Sequence, residues 1–210
     1  MSAGEKSLMD LAVEERTDLA AFLETLRPQE WHAPSLCKGW TVKDVVAHMV
    51  SYEDLTLFGL MKRFAKGRVV HANEVGVEEF APMSPQELME FLGRHLRPQG
   101  LTAGFGGMIG LIDGTVHHQD IRRALGHPRT VPVERLERIL PLVPANPRLG
   151  AGRRIRGLRL KATDLRWQHG EGPEVSGTGE ALLMAMTGRL EAVKELNGPG
   201  RATMMERVTT

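Results

Sequence analysis

The chain has 210 residues, 41% of them hydrophobic, enough for a buried core in one large domain or a main domain with an appendage. Its 27 Lys and Arg nearly balance 26 Asp and Glu, which excludes a global basic field for nucleic acid. No run approaches the roughly 20 apolar residues of a membrane span. The start MSAGEKSLMDLAVEER is acidic and amphipathic, unlike a signal peptide, and a single cysteine, Cys37, allows no internal disulfide. A reducing cytoplasm is the compartment these features fit.

Residues 5–26 place Leu8, Leu11, Ala12, Leu19, Phe22, Leu23 and Leu26 near one helical stripe, closed by Arg27-Pro28. Trp31 to Trp40 reads as a packed loop pinned by its two aromatics. Thr41 and Asp44 resemble a capping box, and the spacing predicts a helix from there to about Lys66, stopped by Gly67. Residues 68–83 read as a connector. Ser84-Pro85 is a strong helix start, with serine as cap and proline in the first turn, and predicts a helix to about Leu96. A break at Arg97-Pro98-Gln99-Gly100 precedes a Gly-interrupted helix over 105–125, with Gly126 past its end. Four long helices with short breaks predict a mainly α protein built on an antiparallel four-helix bundle over 1–130.

The rest predicts a small α+β region over 131–197. Pro132 to Leu142 reads as a short helix, and Leu158 to Ala162 alternates with the period of two of a half-buried strand. Arg166-Trp167-Gln168 and Glu174-Val175-Ser176 flank the turn-rich HGEGP, which reads as a meander or hairpin turn; it lacks the lysine of a phosphate loop. A helix from about Glu180 to Thr187 follows, with Met184 and Met186 as core filler, then a short helix ending near Leu196. Residues 198–210 read as a tail.

The chemistry concentrates on two helices. His48 lies within the apolar run VVAHMV. Asp113 and His117 are four apart, so they share a helical face and can converge on one ion with an imidazole from a facing helix. Three such donors suit Zn²⁺ first, with Ni²⁺ or another divalent ion as alternatives, and leave a position open. The same spacing also describes an ordinary i,i+4 contact, and His117-His118 leaves two registers open. Asp120 either orients a donor histidine, contacts substrate, or pairs with Arg122 or Arg123. Those two arginines either serve the helix C-terminus or recognise a carboxylate. Cys37 reads as a buried structural thiol, because no base lies near it in sequence. Trp31, Trp40 and Trp167 read as packing anchors.

The run WHAPSLCKGWTVKDVVAHMV resembles the opening motif of the mycothiol-dependent maleylpyruvate isomerase family, whose N-terminal domain is a DinB-like helix bundle. DGTVHHQDIRRALG is similar to that family's second metal-binding helix, and KATDLRWQHGEGPEVSGTGEALLMAMTGR to its strand, Gly-loop and helix. The resemblance implies metal donors at His48, Asp113 and His117, with mycothiol or another low-molecular-weight thiol at the open position. The isomerase has glutamate where Asp113 stands, one methylene longer, which leaves substrate class open. The implied activity is isomerisation or S-transfer by a metal-bound thiolate on a small electrophilic substrate, in a monomer or homodimer without nucleic-acid or membrane partners. A metal-dependent hydrolase of small molecules and a non-catalytic metal- or ligand-binding protein are the alternatives.

Overall fold

The computed structural model describes residues 5–67 and 71–209. Residues 68–70 of the expected connector, the first four residues and Thr210 lie outside it. The chain forms two compact units, one up to Arg129 and one from Thr130.

The first unit is built on four helices: α1 (Leu8–Leu23), α2 (Val42–Val50), α5 (Pro85–Arg94) and α6 (Met108–Leu125). Each packs on two others in a closed ring, α1 against α5 and α6, and α2 against the same pair. The expected four-helix bundle is therefore borne out, but not its wholly antiparallel order: contacts from Met9–Gly107 through Glu15–Gly114 to Phe22–Arg122 run α1 parallel to α6. Local chemistry starts three of these helices. Ser7, Thr41 and Ser84 each cap with their side chains and receive a carboxylate back from Asp10, Asp44 and Glu87, so two otherwise orphaned N–H groups are satisfied at each start. α6 instead starts at Gly107, whose φ of 94° places it against the backbone of Met9, a conformation and a closeness only glycine tolerates. Leu19, Phe22, Leu23, Trp31, Val42, Val45, Val46, Met49, Leu88, Leu92 and Ile121 form the core between the helices.

The expected continuous helix from Thr41 to Lys66 is wrong. It ends at Val50, and a new helix, α3 (Leu57–Lys66), starts at Thr56. The break has a tertiary cause. Glu53 turns inward, 3% exposed, and accepts from Arg16 Nη2 at 2.6 Å, Thr102 Oγ1 at 2.6 Å and the Gln99 N–H at 2.7 Å. The Ser51 carbonyl, freed from the helix, accepts from Arg63 Nη1 at 2.7 Å. The connector also contains a helix, α4 (Ala72–Phe80), which packs on α2 and α3.

The second unit starts with α7 (Val133–Ile139) and α8 (Ala151–Ile155) and centres on a sheet of β1 (Arg159–Ala162), β2 (Gln168–His169) and β3 (Glu174–Gly177). The strand order is β2-β1-β3. β1 pairs antiparallel to β2 and parallel to β3, with Leu160 opposite both His169 and Val175. HGEGP is thus not a hairpin turn between neighbours. It carries the chain from one edge to the other, and Gly170 and Gly172, both at positive φ, let it pass against the Leu158 and Gly157 carbonyls. α9 (Gly179–Met186), buried on every face except at Glu180, fills the core with Leu182, Leu183, Met184 and Met186. α10 (Leu190–Lys194) follows. The expected tail folds as α11 (Arg201–Thr209), anchored on α8 and α10 with Met204 fully buried. No described helix is long and apolar enough to cross a membrane.

Candidate metal centre

His48 lies in the last turn of α2, and its ring is wedged against Trp40 (centroids 5.1 Å apart), Tyr52 (6.2 Å) and His117 (4.9 Å). Asp113 and His117 lie one turn apart on α6, the helix beside α2 in the ring. The structure brings these three residues together. Asp113 Oδ1 stands 3.5 Å from His48 Nε2 and 3.5 Å from His117 Nε2, and all three donor atoms lie within 4.8 Å of one another.

Two donors held 2.0–2.1 Å from a tetrahedral ion are separated by about 3.4 Å, against about 2.9 Å around an octahedral one. The two carboxylate–imidazole spacings of 3.5 Å lie nearer the tetrahedral value. Aspartate reaches without help from a longer side chain, because α2 brings His48 to it. Of the three side chains Asp113 is the most exposed, at 29%, against 7% for His48 and 13% for His117.

The electrostatics describe a cluster that attracts positive charge. Burial pushes the Asp113 carboxyl up, but the charges of His117 and His48 outweigh it and hold it at about 2. Burial likewise pushes the His117 imidazole down, while Asp113 and then the hydrogen bond to Asp120 outweigh it and raise it to about 10. A proton on His117 then occupies the place where a cation is wanted.

Asp120, fully buried, accepts from His117 Nδ1 at 2.8 Å. That bond commits Nδ1–H to Asp120 and turns Nε2 toward Asp113 and His48. His48 has no such anchor among the described residues: its buried Nδ1 finds no hydrogen-bond partner there, and ring packing holds it instead. Cys37 differs from the buried structural thiol expected. It is half-buried and donates to Asp120 Oδ2 at 3.1 Å, with Sγ 3.5 Å from His117 Nδ1. Sequence could not show this contact, which spans 83 positions along the chain.

Arg122 does not face the cluster. Its Nε donates to His118 Nε2 at 2.9 Å, its guanidinium lies 3.9 Å from the Phe22 ring centroid, and Nη1 reaches the His127 carbonyl. Arg123 lies in the last turn of α6, where its charge suits the helix C-terminus. His118 points the other way from His117, to Glu15 at 2.8 Å, which settles which histidine joins Asp113.

This is a helix bundle whose facing helices present two histidines and a carboxylate toward one point, an arrangement typical of metal-binding bundle proteins. Residues 12–97 match the family model "Mycothiol maleylpyruvate isomerase N-terminal domain", a segment that includes His48 and ends before α6. Two solved structures share the fold. One is a crystal structure of the mycothiol-dependent maleylpyruvate isomerase, at 14% identity and a TM-score of 0.59, covering 91% of each chain. The other is a mutant of that isomerase, at 16% identity and a TM-score of 0.58 over the same shares. The resemblance expected from the sequence is borne out. None of the curated proteins compared matches this chain.

Proposed function

We propose that this protein is a metal- and thiol-dependent enzyme acting on a small electrophile, as an isomerase or S-transferase. One observation carries the reading: Asp113 Oδ1 stands 3.5 Å from the Nε2 atoms of both His48 and His117, the spacing of neighbouring donors on a tetrahedral ion. His48 Nε2, Asp113 and His117 Nε2 would hold the ion, zinc first. A bound ion would supply Lewis acidity at the position these donors leave open, where a thiol such as mycothiol loses its proton near neutral pH. Asp120 keeps His117 in the tautomer that donates through Nε2. Trp40 and Tyr52 hold the His48 ring by packing and keep water from its inner edge.

The similar isomerase is named for a mycothiol-dependent reaction on maleylpyruvate, and this supports a conjugated, cis-configured electrophile as the substrate class. A thiolate that adds to such a double bond leaves a single bond free to rotate. Expulsion of the same thiolate restores the double bond in trans form, with no net change in atoms or electrons.

The test combines metal analysis with spectroscopy of the Co²⁺-substituted protein. Purified protein should hold about one divalent ion per chain. Excess small thiol should produce a sulfur-to-cobalt charge-transfer band whose apparent affinity rises with pH until the free thiol itself ionises. A Co²⁺ form whose spectrum ignores thiol across that range sinks the thiol-dependent reading and leaves hydrolysis or simple binding. Thiol-dependent cis–trans turnover of conjugated electrophiles then identifies the reaction.

A further inference from the structure

The segment between the 3₁₀ turn Pro28–His32 and α2 touches both histidines of the centre. Trp40 lies against the His48 ring, and Cys37 reaches Asp120, the residue that holds His117. The segment is fixed from within. Ser35 Oγ donates to the Trp40 carbonyl at 2.8 Å and accepts from the Cys37 N–H at 3.1 Å, while Pro34 and Thr41 form an isolated bridge. It is also docked twice on one residue of α6: the Leu36 N–H donates to the Asp120 carbonyl at 3.3 Å, and the Cys37 thiol to Asp120 Oδ2 at 3.1 Å.

Asp120 Oδ2 therefore receives two donors, the Cys37 S–H and the His117 Nδ1–H. A carboxylate can swing about its last torsion, and a second donor on the same oxygen narrows that swing. The direction in which His117 Nε2 points depends on where Oδ2 sits. We infer that Cys37 is a positioning residue: through its thiol hydrogen bond it fixes the Asp120 carboxylate, and through Asp120 it fixes His117 for the ion. This rests on the reading of His117 as an ion donor. In this role the thiol acts through Asp120 and does not touch the ion.

The experiment measures the affinity of the full chain for Zn²⁺ by competition with a chelator, and the ligand-field spectrum with Co²⁺, in wild-type, Cys37→Ala, Cys37→Ser and Asp120→Ala proteins. Removing a group that orients a metal-bound histidine weakens affinity about 10–100-fold. Asp120→Ala should fall in that range, Cys37→Ala near its lower end, and Cys37→Ser, which keeps a donor, should stay within about threefold of wild type. The double variant Cys37→Ala/Asp120→Ala should be no weaker than Asp120→Ala alone, because the two residues act in series. Metal-free Cys37→Ala and Cys37→Ser should unfold at similar temperatures, which separates positioning from general stability. Three results overturn the proposal while leaving the centre intact: Cys37→Ala binding as tightly as wild type, Cys37→Ser losing as much as Cys37→Ala, or a sulfur-to-cobalt band without added thiol, which would make Cys37 a direct donor. A wild-type chain that takes up no ion overturns the centre itself and the relay with it.

Discussion

Two carboxylate–histidine clusters lie on different faces of α6, set about 100° apart by the adjacent residues His117 and His118, and they differ in what completes them. On one side His118 donates through Nδ1 to Glu15 at 2.8 Å and accepts from Arg122 through Nε2 at 2.9 Å, so both ring nitrogens are used. Glu15 is paired in turn with Arg129 at 2.6 Å, and Arg129 Nε donates to Gln119. Guanidinium groups of the chain itself answer every acceptor there. On the other side Asp113 and two imidazole nitrogens converge, and among the described residues no guanidinium is bonded to them; Arg16 acts on Asp113 only through its charge. Residue types alone do not make a metal centre. The difference lies in whether the protein supplies the cation.

The largest effect that would break this contrast is an exchange of the two histidines' roles. His117→Gln should lose the stoichiometric ion while its far-ultraviolet circular dichroism stays helical. His118→Gln should keep the ion, and Asp113→Asn should keep a weaker one because an amide oxygen still donates without charge. Ion content lost in His118→Gln and kept in His117→Gln would move the site to the other face of α6.

Next in size is the closed cluster's dependence on its carboxylate. Glu15→Ala leaves Arg129 and His118 buried without their partner, and breaking a buried pair in this way costs on the order of 3–5 kcal/mol. Urea unfolding of metal-free protein measures it. A loss below about 1 kcal/mol would mean that the network is more hydrated than its burial indicates.

The smallest effect sharpens the comparison through pH. Burial, with Arg129 and Arg122 nearby, lowers His118 from 6.5 to about 4 despite the pull of Glu15. Burial pushes Glu15 up, yet His118 and Arg129 outweigh it and lower it from 4.5 to about 2. Both groups bind fewer protons folded than unfolded, so their contribution is complete above pH 6.5. It falls as pH drops, first through the His118 window from 6.5 to about 4 and then through the Glu15 window from 4.5 to about 2. The His118 step is worth on the order of 3 kcal/mol or less. Unfolding free energies at pH 6.5 and 4.5 should converge in His118→Gln, and an unchanged slope in that variant would assign the acid loss elsewhere.

Much of the bundle was legible because its signals are local. Thr41 with Asp44, and Ser84 with Pro85, mark starts that the backbone obeys within one turn. The errors are tertiary. Leu55, Leu57 and Phe58 continue a helical pattern through a segment that breaks because Glu53 is drawn to Arg16, and nothing near residue 53 announces that partner. The parallel pairing of β3 with β1 was hidden for the same reason, since HGEGP reads as a tight turn until the strand it crosses is known. α11 follows the breaker run Gly198-Pro199-Gly200, which reads as the end of the fold, and its purpose shows only in the burial of Met204. In the candidate site, the Asp113–His117 spacing was legible and the geometry of Cys37 was not. One missed signal was available. Glu15 occupies a place in the apolar stripe of α1, three residues after Ala12 and four before Leu19, which marks a buried carboxylate needing a partner.

The placement of His48 on α2 and of Asp113 and His117 on α6 has a mechanical consequence. An ion held by both helices is a cross-link between segments far apart in the chain, closing the long loop that contains α3, α4 and α5. Binding confined to the folded chain raises stability by about 2.7 kcal/mol at a free ion concentration one hundred times the dissociation constant. That protection reaches first the openings in which α2 leaves α6. Amide hydrogen exchange in Val45 to Val50 and Ile112 to Gln119 should slow when the ion is added, whereas fraying at the far start of α1 should continue at its own rate.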